Sequence, residues 1–112
     1  MNDDSLLTNL TSELRRGTQV LAVLGQLHKD QYGYSLLQDL SVKGVKIEAG
    51  TLYPLLRRLE SQGLLKSEWD IQETRPRKYY TLSPLGIETY SSLVKEWQLM
   101  IETMNQILKE EK

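Results

Sequence analysis

Apolar positions along the chain recur at helical and at alternating spacings, and each spacing predicts an element. From Thr11 or Ser12, either of which can cap a helix, Leu14, Val20, Leu21, Val23, Leu24 and Leu27 keep to one broad face. That predicts a first helix running to His28. Gly17 and Gly25 each weaken it by about 1 kcal/mol relative to alanine, so packing must hold it. Residues 1–11 read as frayed or weakly helical. Leu36, Leu37 and Leu40 give a short second helix from Gly33 to Leu40. Gly44 turns the connector that follows, and Val45-Lys46-Ile47 alternates over too few residues for more than a stub of strand. The third helix is the clearest short one: Leu52, Leu55, Leu56 and Leu59 share a face between Ala49 or Gly50 and Gln62. Pro54 is expected in an early turn, where its missing N–H loses nothing, and Gly63 closes the helix.

The period then changes to two. Leu65, Ser67 and Trp69 fall on one side of residues 64–70, and Lys66, Glu68 and Asp70 on the other, the pattern of a half-solvated strand. A polar loop over 71–76 leads to a second strand over 77–82, with Tyr80 and Leu82 on one face and Tyr79 and Thr81 on the other. Together they predict an antiparallel ribbon with a basic return arm. Ser83-Pro84 is a cap followed by proline at the first helical position. The helix it opens runs to about Lys109, roughly 39 Å at 1.5 Å per residue. Ile87, Tyr90, Val94, Trp97, Ile101, Met104 and Leu108 are spaced 3, 4, 3, 4, 3, 4 along it, with Leu93, Met100 and Ile107 in an adjacent row. This is a heptad seam. Three short helices cannot cover so long a rod, so the expected partner is a second copy and the expected assembly a two-fold homodimer. The alternative is a helix folded back over its own domain.

Three helices, a ribbon and a long helix make a mainly α (α+β) chain. Its expected architecture is a winged helix-turn-helix over 12–83 and a C-terminal dimerisation helix over 84–110. A small α+β domain of no particular function has the same element order. At 112 residues one domain is expected. There is no cysteine and a single histidine, His28, which excludes disulfides, thiolate metal sites and multi-histidine sites. No metal or cofactor is implied, and no enzymatic constellation is visible around His28, whose expected place is a helix end or a solvent contact. No run approaches 18 apolar residues, and the start, Met1-Asn2-Asp3-Asp4, is acidic where a secretory signal is basic. A cytoplasmic protein is expected.

The net charge of −1 argues weakly against nucleic acid until it is divided along the chain. Residues 1–13 carry −3, 14–50 carry +2, 51–83 carry +2 and 84–112 carry −2. A DNA phosphate responds to the local field, screened over about 8 Å in physiological salt. Opposite its leucines the third helix presents Pro54, Arg57, Arg58 and Ser61, with Tyr53 on the flank. Arginine bridges phosphates or pairs with guanine, and Thr51 near the helix start suits a backbone phosphate. Arg57 and Arg58 would serve equally as a solvated face; their place before a basic ribbon favours DNA. Arg75, Arg77 and Lys78 on the ribbon could straddle a backbone or be a hairpin end chosen for solubility. Tyr34, and less so Tyr32, offers a hydroxyl to phosphate, or wedges into the core. Trp97 at mid-seam is either packing or, paired across a dimer axis, a slot for a flat ligand.

Longer strings add a resemblance. Tyr32-Gly33-Tyr34, the run Gly50-Thr51-Leu52-Tyr53-Pro54-Leu55-Leu56-Arg57-Arg58-Leu59-Glu60, Gly63-Leu64-Leu65 and Arg75-Pro76-Arg77-Lys78-Tyr79-Tyr80-Thr81-Leu82-Ser83 resemble the PadR family of bacterial transcriptional regulators, short-chain branch, over about residues 12–108. The resemblance implies a winged-helix repressor that dimerises through its last helix and binds double-stranded DNA. Gly50 to Gln62 would be its recognition helix and 71–78 its wing tip. Thr51, Tyr53 and Arg57 or Arg58 match groove and phosphate contacts, Lys78 and Tyr79 the wing's arm, and Tyr34 an aromatic near the backbone. The last helix is similar to that of multidrug-efflux regulators, whose tryptophan, placed like Trp97, sandwiches small planar aromatic effectors at the dimer centre. Wings of the family often carry glycine at the tip. Here the tip is Ile71-Gln72-Glu73-Thr74-Arg75-Pro76, with acidic Glu73 close to the expected phosphate surface. The competing reading of the same fold is a protein-interaction module that acts through its long helix without specific DNA binding.

Overall fold

The computed structural model describes residues 3–72 and 74–110; Met1, Asn2, Glu73, Glu111 and Lys112 lie outside the described residues. The elements run α1 (Asp3–Arg16), α2 (Thr18–Gly25), β1 (Gln31–Tyr32), α3 (Gly33–Val42), α4 (Ala49–Ser61), β2 (Leu65–Asp70), β3 (Arg77–Leu82) and α5 (Pro84–Lys109). Val23, Leu24 and Leu27 from the α2 region, Leu36 and Leu40 from α3, and Leu52, Leu56 and Leu59 from α4 form the core, closed by Leu65, Tyr80 and Leu82 of the sheet. On α4 the buried leucines recur at i, i+4 and i+7, so its other face is solvated.

Two helix ends use the same device. After α3, Gly44 adopts φ +93°, with Gly44 N–H donating to Ser41 and Val45 N–H to Leu40. After α4, Gly63 adopts φ +85°, with Gly63 N–H donating to Glu60 and Leu64 N–H to Leu59. Both are left-handed caps that take up the last carbonyls of a helix, and glycine alone enters that region without strain.

The structure corrects the sequence expectation in four places. The expected first helix is two helices. α1 begins at Asp3, so of the two readings of residues 1–11, frayed or weakly helical, the helical one holds from Asp3, and Thr11 and Ser12 lie inside α1 rather than capping a helix. The break falls at Gly17, whose backbone stays near-helical at φ −69°, ψ −24°. There the Thr18 hydroxyl donates to the Arg15 carbonyl at 2.8 Å, so α1 passes into α2 through one residue, not a loop. Second, Val45 to Ile47 forms no strand. The third strand is β1, which pairs antiparallel with β3 in the register Gln31↔Tyr80 and Tyr32↔Tyr79. The sheet order is β1-β3-β2. Third, Pro54 sits inside α4, at its sixth residue. It removes the donor that would have met the Gly50 carbonyl, so it does cost a helical hydrogen bond. Fourth, α5 has the expected span, with the Ser83 hydroxyl accepting from Gly86 N–H at 2.9 Å, but its two halves differ.

The first half of α5 is docked. Gly86 is buried against the corner after α4: a Cβ there would lie 2.0 Å from the Leu64 carbonyl oxygen. Tyr90 and Leu93 pack against the core, and Val94 is half-buried. From Lys95 to Glu110 every residue is exposed. The radius of gyration is 16.8 Å and the extents are 59 × 37 × 23 Å. A compact chain of this length would have a radius of about 13 Å; the largely exposed α1 and the exposed second half of α5 extend the chain beyond that.

Candidate nucleic-acid interface

α3 and α4 are the paired helices, and their crossing is set by one close approach. A Cβ built on Gly33 would lie 2.2 Å from the Tyr53 ring, so the ring occupies the space a side chain would fill. Tyr53 is 38% exposed. It is therefore first a packing residue between the two helices, with only part of its surface left for a ligand. The outer face of α4 is open: Thr51, Pro54, Arg57, Arg58 and Ser61 are all exposed. Tyr34, on the first turn of α3, is exposed, and its hydroxyl accepts from Gln38 Nε2 at 3.0 Å.

β2 and β3 run antiparallel in register from Leu65↔Leu82 to Asp70↔Arg77. They leave residues 71–76 as a tip, where Asp70 Oδ1 accepts from Gln72 N–H at 3.1 Å. Arg75 is exposed at this tip, whereas Glu73 lies outside the described residues. Trp69 is 62% exposed and Ile71 is exposed beside it, so the alternation of β2 buries Leu65 but not the tryptophan.

The two cations at the wing's root are engaged by the fold itself, which sequence reasoning did not foresee. The Arg77 guanidinium lies over the Tyr32 ring, 4.5 Å from its centroid, and Tyr32 meets the half-buried Tyr79 edge-on at 5.4 Å. Lys78 Nζ lies 3.2 Å from Glu60 Oε1 and 5.2 Å from the Tyr80 centroid. Glu60 also accepts from the Ser67 hydroxyl. That hydrogen bond, with the Lys78 ammonium beside it, holds the Glu60 carboxyl below its ordinary value against an opposing desolvation effect. For Lys78, desolvation works to lower the pKa, but the Glu60 bond and the Tyr80 and Glu60 charges outweigh it and raise the pKa on balance. Alternation in β3 is the signal that could have found the pair, since Lys78 shares the inward face of Tyr80 and Leu82.

On the expected seam, Ile87, Trp97, Ile101, Met104 and Leu108 are exposed, Val94 is half-buried, and Tyr90 departs from the expectation. Its ring packs within its own chain, against Gly25 and edge-on to His28 at 4.9 Å. His28 is exposed, with Nδ1 3.3 Å from the Gly25 carbonyl oxygen. An open apolar cleft of about 650 Å³ lies between α5 and the α1–α2 junction, lined by Leu14, Val20, Leu21, Trp97, Ile101 and Met104 among others. Among the described residues no cluster of histidine, aspartate and glutamate is placed to hold a metal ion, and no helix is long and apolar enough to cross a membrane.

Comparison with known proteins agrees with this geometry. Residues 20–92 match the model of the transcriptional regulator PadR-like family. The crystal structure of a PadR family transcriptional regulator from Eggerthella lenta superposes with a TM-score of 0.90 at 45% identity, covering 94% of each chain. A transcriptional regulator from Clostridium thermocellum gives 0.79 at 33% identity, over 85% of this chain and 97% of that one. Transcriptional regulator Rv3488 of Mycobacterium tuberculosis is 46% identical over 55 residues, 49% of this chain and 51% of that protein. With an open helix face beside a three-stranded wing, and a match spanning both, the chain belongs to the PadR-like family of transcriptional regulators, which are DNA-binding proteins and not enzymes.

Proposed function

We propose that the protein is a homodimeric repressor of the family's short-chain, multidrug-efflux type. Residues 12–83 read DNA, and 84–110 join the two copies. The observation that carries this is the second half of α5: Trp97, Ile101, Met104 and Leu108 continue the heptad where the chain's own core has ended. Leu6, Leu7, Leu10 and Leu14 of α1 are exposed as well, and an apolar surface of this kind in a soluble chain marks an interface. A two-fold pairing along α5 sets two copies of α4 on one side, about 34 Å apart, to meet a palindromic operator. Thr51, Pro54, Arg57, Arg58 and Arg75 reach the duplex, with Tyr34 and the partly exposed Tyr53 at its backbone. Binding in the bacterial cytoplasm blocks the promoter.

The cleft beside Trp97 has a volume within the range of small-molecule sites. Closed by a second copy, it suits a planar aromatic effector that favours the arrangement unable to bind DNA. Sedimentation at micromolar concentration tests the pairing: a single 13.0 kDa particle overturns it. Salt-titrated binding to the duplex upstream of the coding region tests the regulator. The expected result is tighter binding than to random DNA and a marked loss in Arg57→Ala; equal affinity for both duplexes overturns it. Quenching of Trp97 by planar dyes is the expected sign of the effector site, and a broad panel without quenching overturns that part alone.

A further inference from the structure

The wing of this chain has no glycine, and its return arm is tied down on both faces. On the outer face Arg77 and Tyr79 meet Tyr32, the residue that leads into α3. On the inner face Lys78 meets Glu60, which belongs to the last turn of α4 and also takes the Ser67 hydroxyl of β2. Glu60 thus joins three elements: the recognition helix and both strands of the wing. It is half-buried, and the two groups it accepts from come from neighbouring strands. We propose that Glu60 is a positioning residue for DNA binding, a clasp that fixes the wing relative to α4, and that Lys78 acts through Glu60 and makes no phosphate contact. This assigns Lys78 a different duty from the backbone contact that its family position implies. It rests on the DNA-binding reading of α4 and the wing.

Simple electrostatics and the clasp give opposite signs. An acid beside a phosphate surface repels DNA, and it would also hold Lys78 away from a phosphate. If that were its whole effect, Glu60→Gln would tighten binding. If Glu60 is a clasp, the same change loosens the wing and weakens binding. Lys78 separates the two readings through salt. Loss of a true phosphate contact lowers the slope of log affinity against log salt by about 0.9, whereas loss of a positioning group leaves the slope as it was.

Two measurements test this. The first needs no DNA: amide hydrogen exchange of the full chain. In Glu60→Gln the amides of β2 and β3 are expected to exchange about tenfold faster, with those of α2 and the start of α5 unchanged. Unchanged exchange in the wing overturns the clasp, whatever the protein binds. The second is affinity for the upstream duplex over a salt series. Glu60→Gln and Lys78→Gln are each expected to lose roughly three- to tenfold at an unaltered salt slope, and the double variant no more than either alone. Lys78→Arg, which keeps charge and donor, should stay within about twofold of the parent. Tighter binding by Glu60→Gln, or a reduced slope in Lys78→Gln, overturns the proposal. Parent protein that fails to prefer the upstream duplex would sink the regulator reading, and the exchange result would still decide the clasp.

Discussion

The two halves of α5 share one apolar spacing and meet opposite fates. Between Pro84 and Val94 the helix is seated: Gly86 rests on the Leu64 carbonyl, Tyr90 fills the hollow over Gly25, and Leu93 joins the core. Between Lys95 and Lys109 the same spacing continues, but every residue is exposed, and the chain's own cover is only the open cleft wall of α1 and α2 beside Trp97 and Ile101. Heptad spacing therefore says that a helix carries a seam, and it does not say against what. The partner is decided by length: the three-helix core reaches only as far as its own helices, about half of a 26-residue rod.

That contrast can be broken most sharply in the projecting half. Ile101→Lys combined with Met104→Lys should leave circular dichroism unchanged and yield monomers at micromolar concentration. Affinity for a paired site should fall by about 100-fold or more, because two linked contacts become one. In the seated half the effect should be on folding instead. Gly86→Ala drives a methyl group into backbone, and is expected to cost about 3 kcal/mol in urea unfolding. Tyr90→Ala should cost about 2 kcal/mol through the space it empties. These two losses should not depend on protein concentration, whereas the loss in Trp97→Ala should grow on dilution. If Tyr90→Ala also responded to dilution, the division of α5 would be misplaced.

The smallest expected effect concerns pH. Glu60 is lowered on folding, so its contribution is whole above the ordinary value of 4.5 and is lost as pH falls through the lower folded value. Lys78 is raised, so its share is whole below 10.5 and is lost as pH rises through the higher folded value. Both groups are about a third exposed, and solvent screening keeps the pair under about 1 kcal/mol. Glu60→Gln should lower stability at neutral pH by up to that amount, and the difference from the parent should vanish as pH falls through the folded value, leaving a flatter acid limb. Thermal unfolding from pH 3 to 7 measures it.

Most of the architecture was written in the spacing of leucines. α3, α4, β2, β3 and α5 lie within two residues of where periodicity and turn chemistry place them, because each buries a regular face. Two elements were not legible, for different reasons. β1 is two residues long and has no period; only its pairing with β3 defines it. The break at Gly17 was hidden because glycine in a helix signals weakness without saying whether packing repairs it. At the interface, residue types were legible and engagement was not. Arg57 and Arg77 look alike in sequence, yet the first stands on an open helix face and the second lies over Tyr32. Cation contacts between distant segments leave no local pattern, and neither does the nesting of Tyr53 over Gly33.

The carbonyl of Leu27, two residues past α2, receives two donors from far along the chain: Thr81 Oγ1 at 3.1 Å and Leu82 N–H at 2.9 Å. They stitch the close of β3 to a residue more than fifty positions earlier. During synthesis this stitch cannot form until residue 82 has left the ribosome, so the Leu27 carbonyl lacks both donors until the last strand arrives. The projecting end of α5 emerges later still and has no part in the stitch. The core thus closes on a residue that the chain supplies only after both strands of the wing have been made.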